Sequence, residues 1–256
     1  MHSLQMNCIT CVKIGKKYPS IYVNKLYNAV RKQSDNDFIC FTDDPSGIDP
    51  DVIVYDMQPW VKDPSKWREP RRIKIGIQSW WPAWNKLELF AREELDKYDK
   101  KIFFDLDVVV QGDLKPILDF ESNFALTPIK WKSPNWVKKN DSNTKPAYSF
   151  NSDCVVWRDI KFIYEQYVPN WKKYVRMYTG IDDYISQNHL TDFELLPDVF
   201  YSYREGSEPE HYWENNMIPY LKFQPEYTIC SFHQDPAIHE LNNDHILYKI
   251  WNEAVY

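Results

Sequence analysis

Residues 101–110 read KIFFDLDVVV and are the clearest signal in the chain. The stretch predicts one buried strand that is interrupted by two acids, Asp105 and Asp107. A carboxylate in an apolar strand is costly unless it is paired with a charge or bound to a metal. We therefore expect both acids at the carboxyl end of the strand, the edge at which open parallel sheets bind ligands.

The residues before this stretch predict a strand, a helix and two further strands. Residues 6–14 form an apolar run, and between 19 and 32 the apolar positions fall on one helical face. Two more apolar runs, at 38–42 and 52–55, are separated by a turn-rich segment. A βαβ start of this kind predicts an α/β fold with a parallel sheet covered by helices.

The remaining residues continue this alternation of helices and strands. The predicted helices are 81–95, 161–177 and 182–189, the predicted strands are 124–127, 153–157, 193–196 and 228–232, and the predicted loops are 58–72 and 130–145. The length of 256 residues fits one α/β domain, and we expect residues 1–256 to form it.

Charge and composition exclude several classes of protein. Lysine and arginine total 31 and aspartate and glutamate 37, so the net charge is −6. This charge argues against a general nucleic-acid or membrane-surface binder. With no leader-like start and no run of about 18 apolar residues, we expect no membrane span and a cytoplasmic protein. No G-x-G-x-x-G follows the first strand, which excludes a dinucleotide oxidoreductase.

The five cysteines are scattered and odd in number, unlike the dense framework of a secreted disulfide protein. This usage predicts reduced thiols. Cys8 and Cys11 form a C-x-x-C motif, but residues three apart on a strand point to opposite faces of the sheet. We therefore expect no metal or redox site at this motif.

The spacing of Asp105 and Asp107 predicts a cation site. Two aspartates spaced two residues apart on the same side of a strand can hold Mg²⁺ or Mn²⁺ and leave other positions for phosphate oxygens and water. The alternative is a turn at the end of the strand with two solvated acids.

Six segments together resemble the GT-A-fold nucleotide-sugar glycosyltransferases, in particular glycosyltransferase family 8 and related bacterial and viral sequences. In chain order the segments are VKIGKKYPSIYVNKLY (12–27), CFTDDPSGI (40–48), WWPAWNKLELF (80–90), KIFFDLDVVVQGD (101–113), AYSFNSDCVVW (147–157) and SFHQDPAIHEL (231–241). The resemblance covers nearly the whole chain. It implies one GT-A-like catalytic domain, with a nucleotide-binding half at 1–110 and an acceptor-binding half at 111–256.

The resemblance implies a metal site in the D-x-D motif. Asp105 and Asp107 would bind Mn²⁺ or Mg²⁺ and through it the donor diphosphate, with Leu106 on the donor side, and His233 would complete the metal site. Without the family, a lone histidine after a strand is more often structural. The family has a Gly beside this histidine and a Lys shortly after it, whereas here residues 234–236 are Gln, Asp and Pro, and the usual lysine contact to the diphosphate is missing.

The resemblance also implies donor-binding residues near the first strands. Val12, Lys13 and Tyr18 follow the first strand, and Thr42 and Asp43 end the second, where similar enzymes hold the uracil and ribose of a UDP-sugar. For Asp43 the alternative is turn chemistry. Lys86 corresponds to a basic residue near the donor phosphates; a solvated helical lysine is the alternative.

On the acceptor side, Asn151 lies in a segment that approaches the donor sugar and the acceptor in similar enzymes. Asp182 and Asp183 resemble a following acidic patch, where a carboxylate contacts donor hydroxyls or serves as base. An inverting enzyme needs such a base, whereas a retaining enzyme, as in family 8, does not; both remain open. The alternative for either acid is stabilisation of the helix dipole.

The resemblance therefore implies a metal-dependent transferase that acts on a nucleotide-sugar donor and a carbohydrate or other hydroxyl acceptor. A haloacid-dehalogenase-like phosphatase is an alternative, because Asp105 to Val110 also fits its opening motif D-x-D-x-[TV]-[LV]. Against it, that motif belongs to the first strand of its domain. A non-catalytic carbohydrate-binding protein would explain the eleven tryptophans but not two acids in a buried strand.

Overall fold

A central sheet of seven strands and a smaller sheet of three organise the computed structural model, which describes residues 6–59, 81–129, 150–178, 180–203, 223–232 and 236–253. The strands are β1 Asn7–Lys13, β2 Asp37–Thr42, β3 Ile53–Asp56, β4 Lys100–Phe104, β5 Val108–Val110, β6 Phe124–Pro128, β7 Phe150–Trp157, β8 Glu194–Leu195, β9 Phe200–Ser202 and β10 Ile229–Ser231. The order in the large sheet is β3-β2-β1-β4-β7-β6-β8, and in the small sheet β5-β10-β9.

Helices cover both faces of the large sheet. They are α1 Ser20–Arg31, α2 Lys86–Leu89, α3 Lys115–Leu118, α4 Lys161–Tyr167, α5 Trp171–Met177, α6 Ile181–Asn188 and α7 Ile246–Glu253. Short 3₁₀ turns occupy Trp81–Asn85, Glu93–Leu95, Val168–Asn170 and Ile238–Glu240. Helices α1 and α7 contribute to the apolar cluster on one face, and α2, α4 and α6 to the cluster on the other.

The strand directions confirm the predicted α/β fold class. The first four strands of the large sheet, β3, β2, β1 and β4, run parallel to their neighbours. Strand β7 runs antiparallel to both β4 and β6, and β8 runs parallel to β6. The first helix follows its prediction: Val23, Leu26, Tyr27 and Val30 are buried on one face of α1.

Strand β1 is buried on both faces, which explains its nearly continuous apolar run. Cys8 packs in the cluster with Ile39, and Cys11 in the opposite cluster with Cys40. The prediction that the two thiols point to opposite faces is therefore confirmed. All five cysteines are free and buried.

The prediction of one strand over 101–110 is wrong, because the chain changes sheets at the two acids. Strand β4 pairs with β7 as far as Phe104, opposite Cys154. Val108–Val110 then pairs antiparallel with β10 in the small sheet. The crossover is fixed by two backbone hydrogen bonds, from Asp105 N to the carbonyl of Asp153 and from Phe232 N to the carbonyl of Asp107, each of 2.8 Å. The expected position of the acids, at the carboxyl end of a strand, is confirmed.

Two predicted helices are interrupted. The helix predicted over 81–95 is a 3₁₀ turn followed by the single turn α2, and it ends before Arg92, which has extended backbone angles. The guanidinium of Arg92 binds Glu88 at 2.8 Å and Glu94 at 2.6 Å, and it donates to the backbone carbonyl of Asp56 at 3.0 Å. The helix predicted over 161–177 is broken by a 3₁₀ turn at Pro169, which lacks a backbone N–H to donate.

Smaller differences concern the strand ends. Strand β7 begins at Phe150 rather than at residue 153, and β8 and β10 are shorter than predicted. The predicted loop over 130–145 and most of the one over 58–72 lie outside the described residues.

Candidate functional site

The candidate site lies where β1, β2 and β4 end. These strands are parallel and adjacent, so their carboxyl ends share one edge of the sheet. Asp105 and Asp107 follow β4 directly, and the side chain of Asp105 is 22% exposed. The edge therefore carries the two predicted acids within reach of solvent.

Lys86, the first residue of α2, forms an ion pair with Asp105. Its Nζ lies 2.6 Å from Asp105 Oδ2 and 3.4 Å from both the carbonyl oxygen and the Oγ of Ser152. Burial alone would lower the pKa of Lys86, but the charge of Asp105, and after it that of Asp182, outweighs burial and raises it. Lys86 is therefore a permanent cation at the site and not a solvated surface lysine.

Tyr18 makes a hydrogen bond to the second acid of the motif. Its hydroxyl donates to Asp107 Oδ2 at 2.5 Å. Burial, together with the charge of Asp107, raises the pKa of Tyr18 far above its ordinary value, so the phenol stays neutral and keeps its donor proton. Tyr18 was predicted on the donor side, and the structure brings it into contact with the D-x-D motif.

Asp153 is a site residue that the sequence analysis missed. It is 5% exposed and lies in β7, where the pairing with β6 shifts register between Leu126 and Thr127. Burial, together with the charge of Asp107, raises the pKa of Asp153 to about 7, although Lys86 acts in the opposite direction. The signal was available, because Asp153 is also an acid in an apolar strand, as Asp105 was argued to be.

Burial also raises the pKa of Asp105, to about 8. The charge of Lys86 opposes this rise, whereas the charges of Asp107 and Asp153 add to it. We call Asp105, Asp107, Asp153 and Asp182 the acidic cluster. Burial is the largest cause of both raised pKa values, and repulsion between the neighbouring carboxylates adds to it, so keeping the whole cluster ionised is costly.

The structure separates the two acids at the start of α6. Asp182 belongs to the acidic cluster, because its charge raises the pKa of both Lys86 and Asp153. Asp183 is 1% exposed and buried within the fold. Asn151 lies two residues before Asp153, and its Oδ1 accepts the backbone N–H of Asp153 at 2.7 Å.

The predicted donor residues at the ends of β1 and β2 are brought together, but their polar atoms already have partners within the chain. Lys13 Nζ donates to the carbonyl of Asp44 at 2.9 Å, and the Thr42 hydroxyl donates to the same oxygen at 3.0 Å. Both carboxylate oxygens of Asp43 accept the N–H of Gly15, whose φ of +72° favours glycine. These contacts shape the edge and fix the loop after β1.

Two other predicted donor residues are placed by their apolar side chains. Leu106 is 3% exposed and packs in the cluster that contains α1, so only its backbone faces the acids on either side. Val12 is partly buried against the opposite cluster. Trp84 is 3% exposed and stacks on Tyr167, so this tryptophan is a core residue and not a platform for a sugar ring.

A divalent cation fits the D-x-D acids in part. Carboxylate oxygens are the ligands that Mg²⁺ and Mn²⁺ prefer, and a cation would relieve the repulsion between the carboxylates of the acidic cluster. Within the described ranges, however, no group of three His, Cys, Asp or Glu side chains is arranged to hold a metal ion. His233 lies outside the described residues, although Phe232, the residue before it, donates its N–H to the carbonyl of Asp107 at 2.8 Å.

The helices that the structure describes are all too short or too polar to cross a bilayer.

Comparisons with known proteins relate the fold to glycosyltransferases. No protein-family model and no curated protein sequence matches the chain. Among solved structures, the galactosyltransferase LgtC in complex with donor and acceptor sugar analogues is 13% identical, with a TM-score of 0.62 over 96% of this chain and 95% of that one. The glycosyltransferase GlyE of Streptococcus pneumoniae TIGR4 is 11% identical, with a TM-score of 0.61 over 98% of this chain and 61% of that one.

The bifunctional glycosyltransferase WbbM is 13% identical, with a TM-score of 0.59 over 99% of this chain and 50% of that one. The chain thus matches nearly the full length of LgtC and parts of the two longer proteins. The described architecture, a seven-stranded sheet with helices on both faces, is the GT-A-type fold of these glycosyltransferases.

Proposed function

We propose that the protein is a metal-dependent glycosyltransferase that moves a sugar from a nucleoside diphosphate sugar, UDP-linked, to a hydroxyl of a glycan or similar acceptor. The observation that carries the proposal is the ion pair of Lys86 with Asp105 at the carboxyl edge of the sheet, in a fold shared with LgtC, which has been solved with donor and acceptor sugar analogues. Residues 1–110 would hold the nucleotide and residues 111–256 the acceptor.

The charges at the site support a need for a cation. The charges of three carboxylates, Asp105, Asp182 and Asp153, act on the ammonium of Lys86, and the charge of Asp107 raises the pKa of both Asp105 and Asp153. A diphosphate is itself anionic and would be repelled by such a cluster. Mn²⁺ or Mg²⁺ held by Asp105 and Asp107, with His233 as the third protein ligand, would supply the missing positive charge and stabilise the leaving diphosphate.

The residues of this chain would then have distinct roles. Lys86, fixed on Asp105, would place a permanent positive charge beside the departing phosphate, and such preorganised charge is a large part of catalysis. Asp182 borders the same cluster and would contact donor hydroxyls or accept the acceptor proton. Asn151 would lie beside the donor sugar, because it precedes Asp153 at the register shift of β7.

Two alternatives are less well supported. The phosphatase motif follows the first strand of its domain, whereas the D-x-D acids here follow the fourth strand along the chain, after β1, β2 and β3. Carbohydrate-binding modules are typically all-β, whereas helices cover both faces of this sheet. A non-catalytic binding module also gives no reason for a lysine that is held against the first acid of the motif.

Release of nucleoside diphosphate from a panel of nucleotide sugars, with Mn²⁺ and with chelator, tests the proposal. Asp107→Ala should abolish metal-dependent donor binding and leave the fold intact, and undiminished turnover in that variant would sink the metal assignment. His233→Ala should weaken metal affinity, and an unchanged metal titration would return His233 to a structural role. If no nucleotide sugar is consumed, hydrolysis of a phosphomonoester with Mg²⁺ tests the phosphatase alternative.

A further inference from the structure

Two tyrosines and a histidine connect the C-terminal part of the chain to Asp107. Tyr18 donates to Asp107 Oδ2, and its ring lies 5.0 Å from the ring of Tyr22, centroid to centroid. The hydroxyl of Tyr22 is hydrogen-bonded to Nδ1 of His239. His239 belongs to the 3₁₀ turn Ile238–Glu240, so a series of contacts links the C-terminal part of the chain, through Tyr22 and Tyr18, to Asp107.

Tyr22 is held on several sides. Its side chain is 1% exposed, and its ring contacts Trp251 at 5.2 Å and His239 at 5.8 Å as well as Tyr18. Burial raises the pKa of Tyr22 to about 12, so the phenol is neutral at physiological pH and can donate to the imidazole. The position of the Tyr22 ring therefore depends on a specific polar contact as well as on packing.

Helix α1 also carries the contacts that attach the C-terminal helix α7. Lys25 Nζ donates to both the carbonyl and the side-chain oxygen of Asn252 at 3.0 Å, and Lys32 Nζ donates to the carbonyl of Glu253 at 2.7 Å. Cations at the last carbonyls of a helix are favourable, because they satisfy acceptors that have no partner within the helix. The turn with His239 and helix α7 thus pack on α1 as one unit.

We propose, on the basis of the function proposed above, that Tyr22 and His239 are positioning residues for Asp107. They hold the Tyr18 ring at the angle at which its hydroxyl meets Asp107 Oδ2, and that hydrogen bond fixes the orientation of the carboxylate. Neither residue contacts Asp107 itself. Loss of a hydrogen-bond partner of a metal ligand typically lowers metal affinity by about 10–100-fold.

Titration of Mn²⁺ into the metal-free protein, in the presence of UDP and followed by calorimetry, tests this assignment. Tyr18→Phe should weaken Mn²⁺ binding by about 10–100-fold, and Tyr22→Phe, one contact further away, by roughly 3–10-fold. His239→Ala removes the other partner of the Tyr22–His239 hydrogen bond at an exposed residue, and it should weaken Mn²⁺ binding as much as Tyr22→Phe does. Tyr18, Tyr22 and His239 act on Asp107 through one series of contacts. The double variant Tyr18→Phe/Tyr22→Phe should therefore weaken Mn²⁺ binding no more than Tyr18→Phe alone.

Tyr27→Phe is the matched control, since Tyr27 is a buried tyrosine of the same helix whose ring packs on Phe38 instead. It should bind Mn²⁺ like the wild type. Unchanged Mn²⁺ affinity in folded Tyr22→Phe and His239→Ala, with normal binding by the wild type, would overturn the positioning role alone. If the losses of Mn²⁺ affinity in Tyr18→Phe and Tyr22→Phe were fully additive in the double variant, the two residues would act independently, and the positioning role would be overturned as well. Absence of Mn²⁺ binding in the wild type would overturn the proposed donor site and this inference with it.

Discussion

Lys86 Nζ and Asp105 Oδ2 lie 2.6 Å apart at the carboxyl edge of the central sheet, with only 12% and 22% of the two side chains exposed. The pair joins the first turn of α2 to the end of β4. It brings the segment that follows the 3₁₀ turn Trp81–Asn85 against the first acid of the D-x-D motif. Half-buried pairs of this kind matter most when one partner is removed, because the other charge is then left uncompensated.

We expect Lys86→Met to lower the free energy of unfolding by about 1–3 kcal/mol, less than for a fully buried pair because Asp105 can take up a proton. The variant should also lose donor binding. Lys86→Arg keeps the charge and should retain most of the stability. Chemical denaturation of the three proteins measures the difference, and equal stability of wild type and Lys86→Met would contradict a structural role for the pair.

The pKa values of Asp105 and Asp153 predict the pH dependence of stability. Both are raised, to about 8 and about 7, from an ordinary value of 3.8. Between about pH 4 and pH 8 the folded state therefore holds protons that the unfolded state has released, so these groups make stability fall as pH rises through that window.

Asp153→Asn should consequently unfold at a higher temperature than the wild type, and the difference should be larger at pH 9 than at pH 5. A gain of about 1 kcal/mol would raise Tm by roughly 2–4 °C in a protein of this size. Asp51→Asn removes the same charge from an exposed loop residue and serves as control. A Tm difference between Asp153→Asn and wild type that does not grow with pH would refute the assignment of the raised pKa.

The loop after β1 offers a matched pair of glycine substitutions. A Cβ on Gly15 or on Gly180 would meet nothing within 4 Å, but only Gly15 has a left-handed φ, of +72°. We expect Gly15→Ala to cost about 1–2 kcal/mol from backbone strain alone and to weaken donor binding, because the loop is held by Asp43. Gly180→Ala, with φ of 173°, should be nearly neutral. Thermal unfolding of both variants provides the comparison.

Asp182 and Asp183 are expected to respond differently to the same substitution. Asp182→Asn should lower turnover by roughly 100–10,000-fold if its carboxylate accepts a proton, with little change in Tm. Asp183→Asn should lower stability by about 1–3 kcal/mol, because a buried acceptor is replaced in part by a donor. Turnover and Tm of both variants test the distinction, and reversed effects would move the functional role to Asp183.

Apolar periodicity predicted the elements around the first four strands well. Local spacing of apolar residues determines the strands β1, β2 and β3 and the apolar face of α1, and this spacing can be read directly from neighbouring positions in the sequence. The split of 101–110 into β4 and β5 was not predictable in this way, since Ile102–Phe104 and Val108–Val110 are both apolar runs and only the pairing of the second with β10 places it in another sheet.

The structure brings the predicted acids together, whereas the contacts that support them were not predicted. Asp105, Asp107 and Lys86 followed from charge in apolar surroundings and from the resemblance. The hydrogen bond of Tyr18 to Asp107 and the place of Asp153 depend on residues far apart in the chain, and on a register shift in β7 that no local pattern marks. Asp182 and Asp183 differ in burial, and their assignment remains a prediction that the variants above test.

Unfolding of the wild-type protein with Mn²⁺ and UDP, each alone and both together, tests metal-dependent donor binding most directly. With both present at a hundred times the dissociation constant we expect a stabilisation of roughly 2.7 kcal/mol, and none in Asp107→Ala. An equal shift in Asp107→Ala, or no shift in the wild type with any nucleoside diphosphate, would contradict the proposed donor site.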